Sequence, residues 1–327
     1  MYADVIYANE WKIENKEDLL EEVRLTGAKG AGITGGDPLV VVDRVCEYIT
    51  FLKNKFGKEF HTHLYTPLQL VTKERLQKLA NAGLDEIRFH PNIDDKTLWK
   101  RIFLARKYSW DIGIEIPCIP KKKKEILELI AFVKDKVKFI NLNELEFSEP
   151  NEQLFDKQKL KVRNTLTYAI KGSSELAKEI LNEANAKNLT IYFCTAKLKD
   201  GVQMKNRFLR RAKSIATKND LITSEGTIIR NVIYLEELAP GMEYRKKLET
   251  ADKISALNKL KSIRKNLSNQ LHFIETDLLI DEVKLRFISE KKFIIKYSKE
   301  LKRKHLIPAI VEEHPTREAL EMDVTFL

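Results

Sequence analysis

Short apolar runs alternate with amphipathic stretches along the first two-thirds of the chain, and the two periods separate cleanly. A helical period covers residues 16–25 (KEDLLEEVRL), 39–57, 72–82, 94–108, 121–135 and 173–187, with Gly57 and Gly83 closing two of these stretches. Between them lie six runs of strand character: Lys29–Thr34, Phe60–Thr66, Glu86–His90, Asp111–Ile119, Phe139–Phe147 and Leu189–Thr195. Strands alternating with helices at this spacing predict βαβ units and a parallel sheet. So many strands in one run favour a barrel or open barrel over a short doubly wound sheet.

Successive side chains of a strand point to opposite faces. Sorted by that rule, one face carries His61, His63 and Tyr65, then Arg88 and His90, Glu115, Asn141 and Asn143, and Tyr192 and Cys194. The other carries Leu64, Ile87 and Phe89, Ile112, Ile114 and Ile116, Ile140 and Leu142, and Ile191 and Phe193. The apolar face is expected against the helices and the polar face inside the barrel. A closed eight-stranded barrel fills its interior with branched apolar side chains. A polar interior costs stability unless it is hydrogen-bonded or filled by a ligand. The pattern therefore predicts a wide, open barrel around a polar ligand; a self-satisfied hydrogen-bond network is the competing account.

From about residue 214 the rhythm changes. Ile222–Leu235 reads as a hairpin, 251–270 and 290–304 as basic amphipathic helices, and Leu306–Glu313 as a last strand. The predicted architecture is α/β: a partial, open TIM-type βα barrel over residues 1–213 and a small α+β domain over 214–327. Lys121–Lys124 opens a helix and reads as a solvated face.

Composition narrows the class. With 43% hydrophobic and 32% charged residues the chain is globular. Its net charge of +10 is compatible with RNA or phosphorylated substrates. A surface rich in both Lys and Glu accounts for it equally without an acidic partner. Three scattered cysteines, Cys46, Cys118 and Cys194, are no secreted disulfide framework. Parity turns Cys118 outward with the isoleucines, and Cys46 sits in an apolar helix. No apolar run is long enough for a membrane span, and the Met1-Tyr-Ala-Asp start has no signal-peptide pattern. A cytoplasmic protein is expected.

The strand-end sequence Gly-Ile-Thr34-Gly35-Gly36-Asp37-Pro38-Leu39 resembles the GGEP motif of radical S-adenosylmethionine (SAM) enzymes. The order continues with His61-Thr-His63, "GLDEIRFHP" over Gly83–Pro91 and "GIEIPCIP" over Gly113–Pro120. Together these resemble archaeal radical SAM proteins akin to pyruvate formate-lyase activating enzymes. The resemblance covers about residues 4–210. It implies that Thr34, Gly35, Gly36, Asp37 and Pro38 meet the SAM methionine group, where glycines let the backbone approach a ligand. Asp37 is one methylene shorter than the usual Glu. It also implies that Glu115 lies on the strand beside the adenine. His61, His63, Arg88, His90, Asn141 and Asn143 would line the SAM ribose and the substrate space.

The resemblance further implies a [4Fe–4S] cluster, an external electron donor, and a small or macromolecular substrate. Such clusters are held by thiolates. The family's C-x3-C-x2-C motif precedes the Gly-Gly motif, and no Cys precedes Gly35 here. The strand at Lys29–Thr34 would then be an unpaired apolar edge. This favours a complete protein whose cluster segment precedes this chain over a degenerate paralogue. The complete protein is expected to cleave SAM reductively to a 5′-deoxyadenosyl radical that abstracts hydrogen from its substrate. This chain alone is expected to bind SAM weakly and not to cleave it. Two other readings stand beside this one. His61-x-His63 resembles the ligand pair of amidohydrolase barrels, with His90 and Glu115 as further metal ligands. A non-catalytic RNA-binding or scaffold protein would use the basic helices 251–270 and 290–304.

Overall fold

The computed structural model describes residues 5–147, 159–164, 167–184 and 189–327. The chain divides into two compact units: one spans Ala28–Gln203, and the other joins the residues up to Gly27 with Met204–Leu327.

The first unit is built on six parallel strands: β1 (Gly30–Ile33), β2 (His61–Thr66), β3 (Glu86–Phe89), β4 (Asp111–Cys118), β5 (Phe139–Glu144) and β6 (Thr190–Cys194). Their order in the sheet is β6-β5-β4-β3-β2-β1, with every neighbour parallel. Spatial order follows chain order without the reversal that marks a doubly wound sheet. It is the winding of a barrel, left open because β1 and β6 do not pair. Helices α1 (Val42–Phe56), α2 (Lys73–Ala82), α3 (Lys123–Val133) and α4 (Ser173–Glu183) connect the strands. Local chemistry sets their ends. The Thr72 side chain accepts from Arg75 N to cap α2, and Gly83 ends it at φ 92°, where a left-handed residue is needed.

Residues 94–108, expected to be helical, form only a 3-10 segment over Trp99–Lys107. Two side-chain turns precede it: Asn92 Oδ1 accepts Asp94 N and Asp95 Oδ1 accepts Thr97 N, both at 2.9 Å. Such turns engage amides that would otherwise open a helix.

The apolar face is buried as the alternation predicts. Leu64, Ile87, Phe89, Ile114, Ile116, Ile140 and Leu142 are fully buried in one core with Val45 and Ile49 of α1, Leu76 and Leu79 of α2, Leu129 of α3 and Ile180 of α4. Each contributes about 1.5–3 kcal/mol of burial. Cys118 lies in this core, as expected.

The second unit is discontinuous in the sequence. Helix Lys16–Thr26 belongs with helix Lys205–Ile215. Arg211 Nε donates to Glu22 Oε2 at 2.9 Å, with both side chains nearly inaccessible. Arg210 Nε donates to Thr26 O at 2.8 Å, and Arg207 grips both carboxylate oxygens of Glu10 at 2.6 Å. Nothing local in the sequence reveals partners nearly two hundred residues away.

The remainder of this unit is the expected α+β fold. Strands β7 (Leu221–Ile222), β8 (Ile228–Leu235), β9 (Leu278–Asp281), β10 (Arg286–Ser289), β11 (Leu306–Glu313) and β12 (Glu321–Phe326) form an antiparallel sheet in the order β9-β10-β8-β11-β12, with β7 paired to β8. Helices Lys253–Leu271 and Lys291–Arg303 pack Leu260, Leu267, Ile294 and Leu301 into its core. Within it Arg286 is fully buried between Asp281 Oδ2 (3.0 Å), Tyr234 OH (3.0 Å) and Glu313 Oε2 (2.5 Å). Arg230 holds the other Glu313 oxygen at 2.7 Å. No helix among the described residues is long and apolar enough to cross a membrane.

Candidate functional site

Strand register arranges the polar face of the first unit in rows. Nearest the amino ends of the strands, Gly32 stands beside His63, His63 beside Glu86, and Glu86 beside Asp111. The next row runs Tyr65, Arg88, Gly113, Phe139. Beyond it come Glu115, Asn141 and Tyr192, and then Asn143 and Cys194 near the carboxyl ends. Of these side chains His63, Tyr65, Arg88, Glu115, Asn141 and Asn143 are partly open to solvent, while Glu86 and Phe139 are buried; the alternate positions Leu64, Ile87, Phe89, Ile114, Ile140 and Leu142 are all buried.

The carboxyl end of β1 carries Thr34, Gly35 and Gly36, all exposed. Gly35 has φ +124°, and a Cβ at either glycine would meet nothing within 4 Å. The strand end is therefore bare backbone facing open space. Asp37 turns away from it. Its Oδ1 accepts Leu39 N at 3.0 Å, capping the 3-10 turn Pro38–Val41, and Thr66 Oγ1 at 2.8 Å, tying that turn to β2. The carboxylate thus serves the turn, and Pro38 is buried.

At the sheet's centre Glu115 accepts Asn141 Nδ2 through Oε2 and Asn143 Nδ2 through Oε1, both at 2.9 Å. Arg88 lies 3.7 Å from Glu115 Oε2, donates from Nε to Glu86 Oε1 at 2.5 Å and from Nη1 to Tyr65 OH at 2.8 Å. Its guanidinium sits 5.1 Å from the Tyr65 ring centre and 5.3 Å from that of Phe139. Burial pushes the Tyr65 hydroxyl pKa up. Burial opposes the Arg88 charge, but the Glu86 hydrogen bond and the surrounding negative groups raise its pKa further. One cation between two carboxylates leaves the centre of the face net negative. Both amide nitrogens are committed to Glu115, so the Asn141 and Asn143 carbonyl oxygens remain as acceptors.

The amino end is different in chemistry. His61 Nε2 lies 3.8 Å from Glu86 Oε2, and His61, His63 and Glu86 each bring a potential ligand atom within 4.8 Å of the others. His63 Nε2 meets Tyr65 OH at 3.2 Å, while its buried Nδ1 has no hydrogen-bond partner. Burial, then the charge of Arg88 and the proximity of His61, push the His63 pKa down to about 4. The ring lies over Gly32, where a Cβ would fall 2.6 Å from Nε2.

The expected site residues therefore divide between two ends. Thr34–Pro38, Glu115, Asn143 and the exposed His90 lie toward the carboxyl ends, where open βα folds place their chemistry. His61 stands at the opposite end of β2, roughly 16 Å along at ~3.3 Å per residue. His63, Arg88 and Asn141 lie between. The hydrolase ligand set does not form: among the described residues the metal-capable grouping takes Glu86 in place of His90 and Glu115. Tyr65 was placed on the polar face by its parity, whereas Glu86, Phe139 and Gly32 were not singled out from the sequence. The parity rule places Glu86 on the polar face, two residues before Arg88, and could have found it.

The cysteines do not converge. Cys46 is on α1, Cys118 is buried in the apolar core with its thiol pushed up to about 12, and Cys194 ends β6 with burial raising its pKa. No metal-capable grouping among the described residues includes a cysteine.

Residues 6–141 match the family model described as the radical SAM superfamily. Over 336 aligned residues, covering 98% of this chain and 82% of the relative, the chain is 37% identical to a Methanocaldococcus jannaschii protein that carries the name of a glycyl-radical enzyme activating enzyme. Among solved structures it is similar to Streptococcus suis SuiB bound to S-adenosylmethionine, at 18% identity and a TM-score of 0.39, covering 70% of this chain and 57% of that one.

Proposed function

The chain belongs to the radical SAM superfamily, and from that premise we propose that the carboxyl end of its parallel sheet is a SAM site serving a protein substrate. The observation that carries this reading is the bare strand end at Thr34–Gly36. Exposed backbone at two glycines, with nothing within 4 Å of either Cβ position, suits a ligand that must be met by main-chain carbonyls. In this family SAM supplies a 5′-deoxyadenosyl radical that takes hydrogen from a substrate.

This chain's own residues bind and orient. Thr34, Gly35 and Gly36 receive the methionine ammonium. Asp37 holds the turn in place through Thr66 and Leu39 instead of reaching for the ligand. Glu115 fixes Asn141 and Asn143 so that their carbonyl oxygens accept from ribose hydroxyls or the adenine amino group. Arg88, held between Glu86 and Glu115, keeps the two carboxylates from repelling each other beneath the ligand.

An iron–sulfur cluster does not fit on this chain's cysteines, which sit on a helix, in the core and at a strand end. The chain by itself therefore binds SAM weakly, without the iron that would chelate the methionine group. The name of the Methanocaldococcus jannaschii relative supports a protein substrate and an external electron donor.

Equilibrium dialysis with labelled SAM tests the site. Gly36→Leu keeps the fold, since its side chain enters open space, but fills the ligand's position. We expect at least a tenfold loss of SAM affinity in that variant. Equal binding by wild type and Gly36→Leu would refute the placement.

A further inference from the structure

We propose that His61, His63 and Glu86 form a binding site for a borderline divalent cation such as Zn(II) or Co(II), at the amino end of the sheet and apart from the SAM site.

Register makes the site. His61 and His63 are two residues apart on β2 and so share its polar face, and β3 pairs beside it with Glu86 opposite His63. Three donors, two imidazole nitrogens and one carboxylate oxygen, lie within 4.8 Å of one another. His61 Nε2 and Glu86 Oε2 are already 3.8 Å apart. Ligands at about 2.0–2.1 Å from a tetrahedral ion require only small side-chain rotations from this arrangement. Two nitrogens and one oxygen with an open fourth position suit Zn(II) or Co(II), and exclude the all-oxygen preference of Mg(II) and Ca(II).

A second observation points to a missing partner. His63 Nδ1 is buried and makes no hydrogen bond. A buried polar atom left unsatisfied requires an account. A cation bound at Nδ1, with the ring proton on Nε2, would supply one.

The surroundings have the form of an outer shell. Tyr65 OH lies 3.2 Å from His63 Nε2 and so orients the ring. Arg88 Nε donates to Glu86 Oε1 at 2.5 Å, leaving Oε2 directed at His61. Partners of this kind on a ligand's second atom are the usual support of a metal site. Gly32 provides the room, since any larger residue on β1 would displace the His63 ring. The His61 side chain is 46% exposed and gives the ion an entry path.

The test uses the full chain stripped of metal. Zn(II) is titrated by calorimetry, and Co(II) is followed by its visible d–d absorption. We expect one equivalent of either ion, a tetrahedral Co(II) spectrum without thiolate charge-transfer bands, and at least a tenfold loss of affinity in His61→Ala and in Glu86→Gln. His61 is solvent-facing and Glu86→Gln preserves shape, so both variants fold, as circular dichroism will verify. Tyr65→Phe should weaken binding about tenfold through loss of the orienting hydroxyl, whereas His90→Ala should leave it unchanged. Substoichiometric binding by wild type, or binding that survives both His61→Ala and Glu86→Gln, overturns the proposal. Neither readout involves SAM, so failure of one site leaves the other standing.

Discussion

The ring of Phe139 occupies the space where a side chain on Gly113 would stand: a Cβ built there falls 2.3 Å from Phe139 Cζ. Gly113 and Phe139 are register partners on β4 and β5, and Arg88 lies 5.3 Å from the same ring. Gly113→Ala therefore has to displace an aromatic ring that supports the guanidinium. The expected cost is about 1–3 kcal/mol by overpacking, measured as a lowered urea midpoint at unchanged slope. Gly113→Ala combined with Phe139→Leu should recover part of that loss, because the clash is removed with the ring.

Asp37 joins the capped turn after β1 to Thr66 of β2. Asp37→Ala removes both bonds. A destabilisation of about 1–2 kcal/mol is expected for the lost cap and buried hydrogen bond. Thr66→Val, which keeps the Asp37 cap on Leu39 and removes the Thr66 hydroxyl's bonds to Asp37 and to the Pro67 carbonyl, should cost less. Thermal denaturation of the two variants and their double mutant gives the coupling between them.

His63 makes stability depend on pH in a defined window. Its folded pKa of about 4 lies below the 6.5 of an ordinary imidazole. The unfolded chain therefore binds the proton more readily across that interval. Stability from the neutral ring is fully present above about pH 6.5 and is lost as the pH falls toward 4. The ring is partly open to solvent, so the loss is about 1–2 kcal/mol and not the full conversion of the shift. Denaturant titrations of metal-free wild type and His63→Gln between pH 7 and 4 should converge at the acid end.

In the second unit Glu313 bridges Arg230 and Arg286, one carboxylate oxygen to each. Burial raises its pKa before the two arginines lower it. Glu313→Ala leaves two buried guanidinium groups short of a partner. A loss of about 3–5 kcal/mol is expected, against less than half of that for Lys259→Ala, whose partner Glu237 is on the surface. Chemical denaturation followed by near-ultraviolet circular dichroism reports both, since Tyr234 lies beside the pair.

Alternation along the strands was enough to read the parallel sheet, its order and its two faces, because burial acts on every second residue of β2 to β5 in the same way. The Gly35–Gly36 strand end was equally legible as a local motif. What sequence did not reveal came from partners far apart along the chain. Asp37 bonds Thr66 only because the fold brings β2 to it. The arginine partners of helix Lys16–Thr26 lie beyond residue 200, out of reach of any local pattern. Strands β9 and β10 are four residues each, and a buried Arg286 interrupts their apolar pattern. Glu86 was passed over although its parity was known, since a carboxylate before Ile87 reads as an ordinary solvated strand start.

One feature of the connectivity governs how the protein is made. The second unit is discontinuous: Glu22 waits for Arg211, and Thr26 for Arg210. Between them the ribosome must deliver the whole of Ala28–Gln203. The strand-and-helix unit can mature as soon as its last strand emerges, whereas the helix Lys16–Thr26 keeps Glu22 Oε2 without its arginine until residues beyond 203 have been made. A chain released from the ribosome at residue 203 should therefore show protease protection over the sheet and none over Lys16–Thr26.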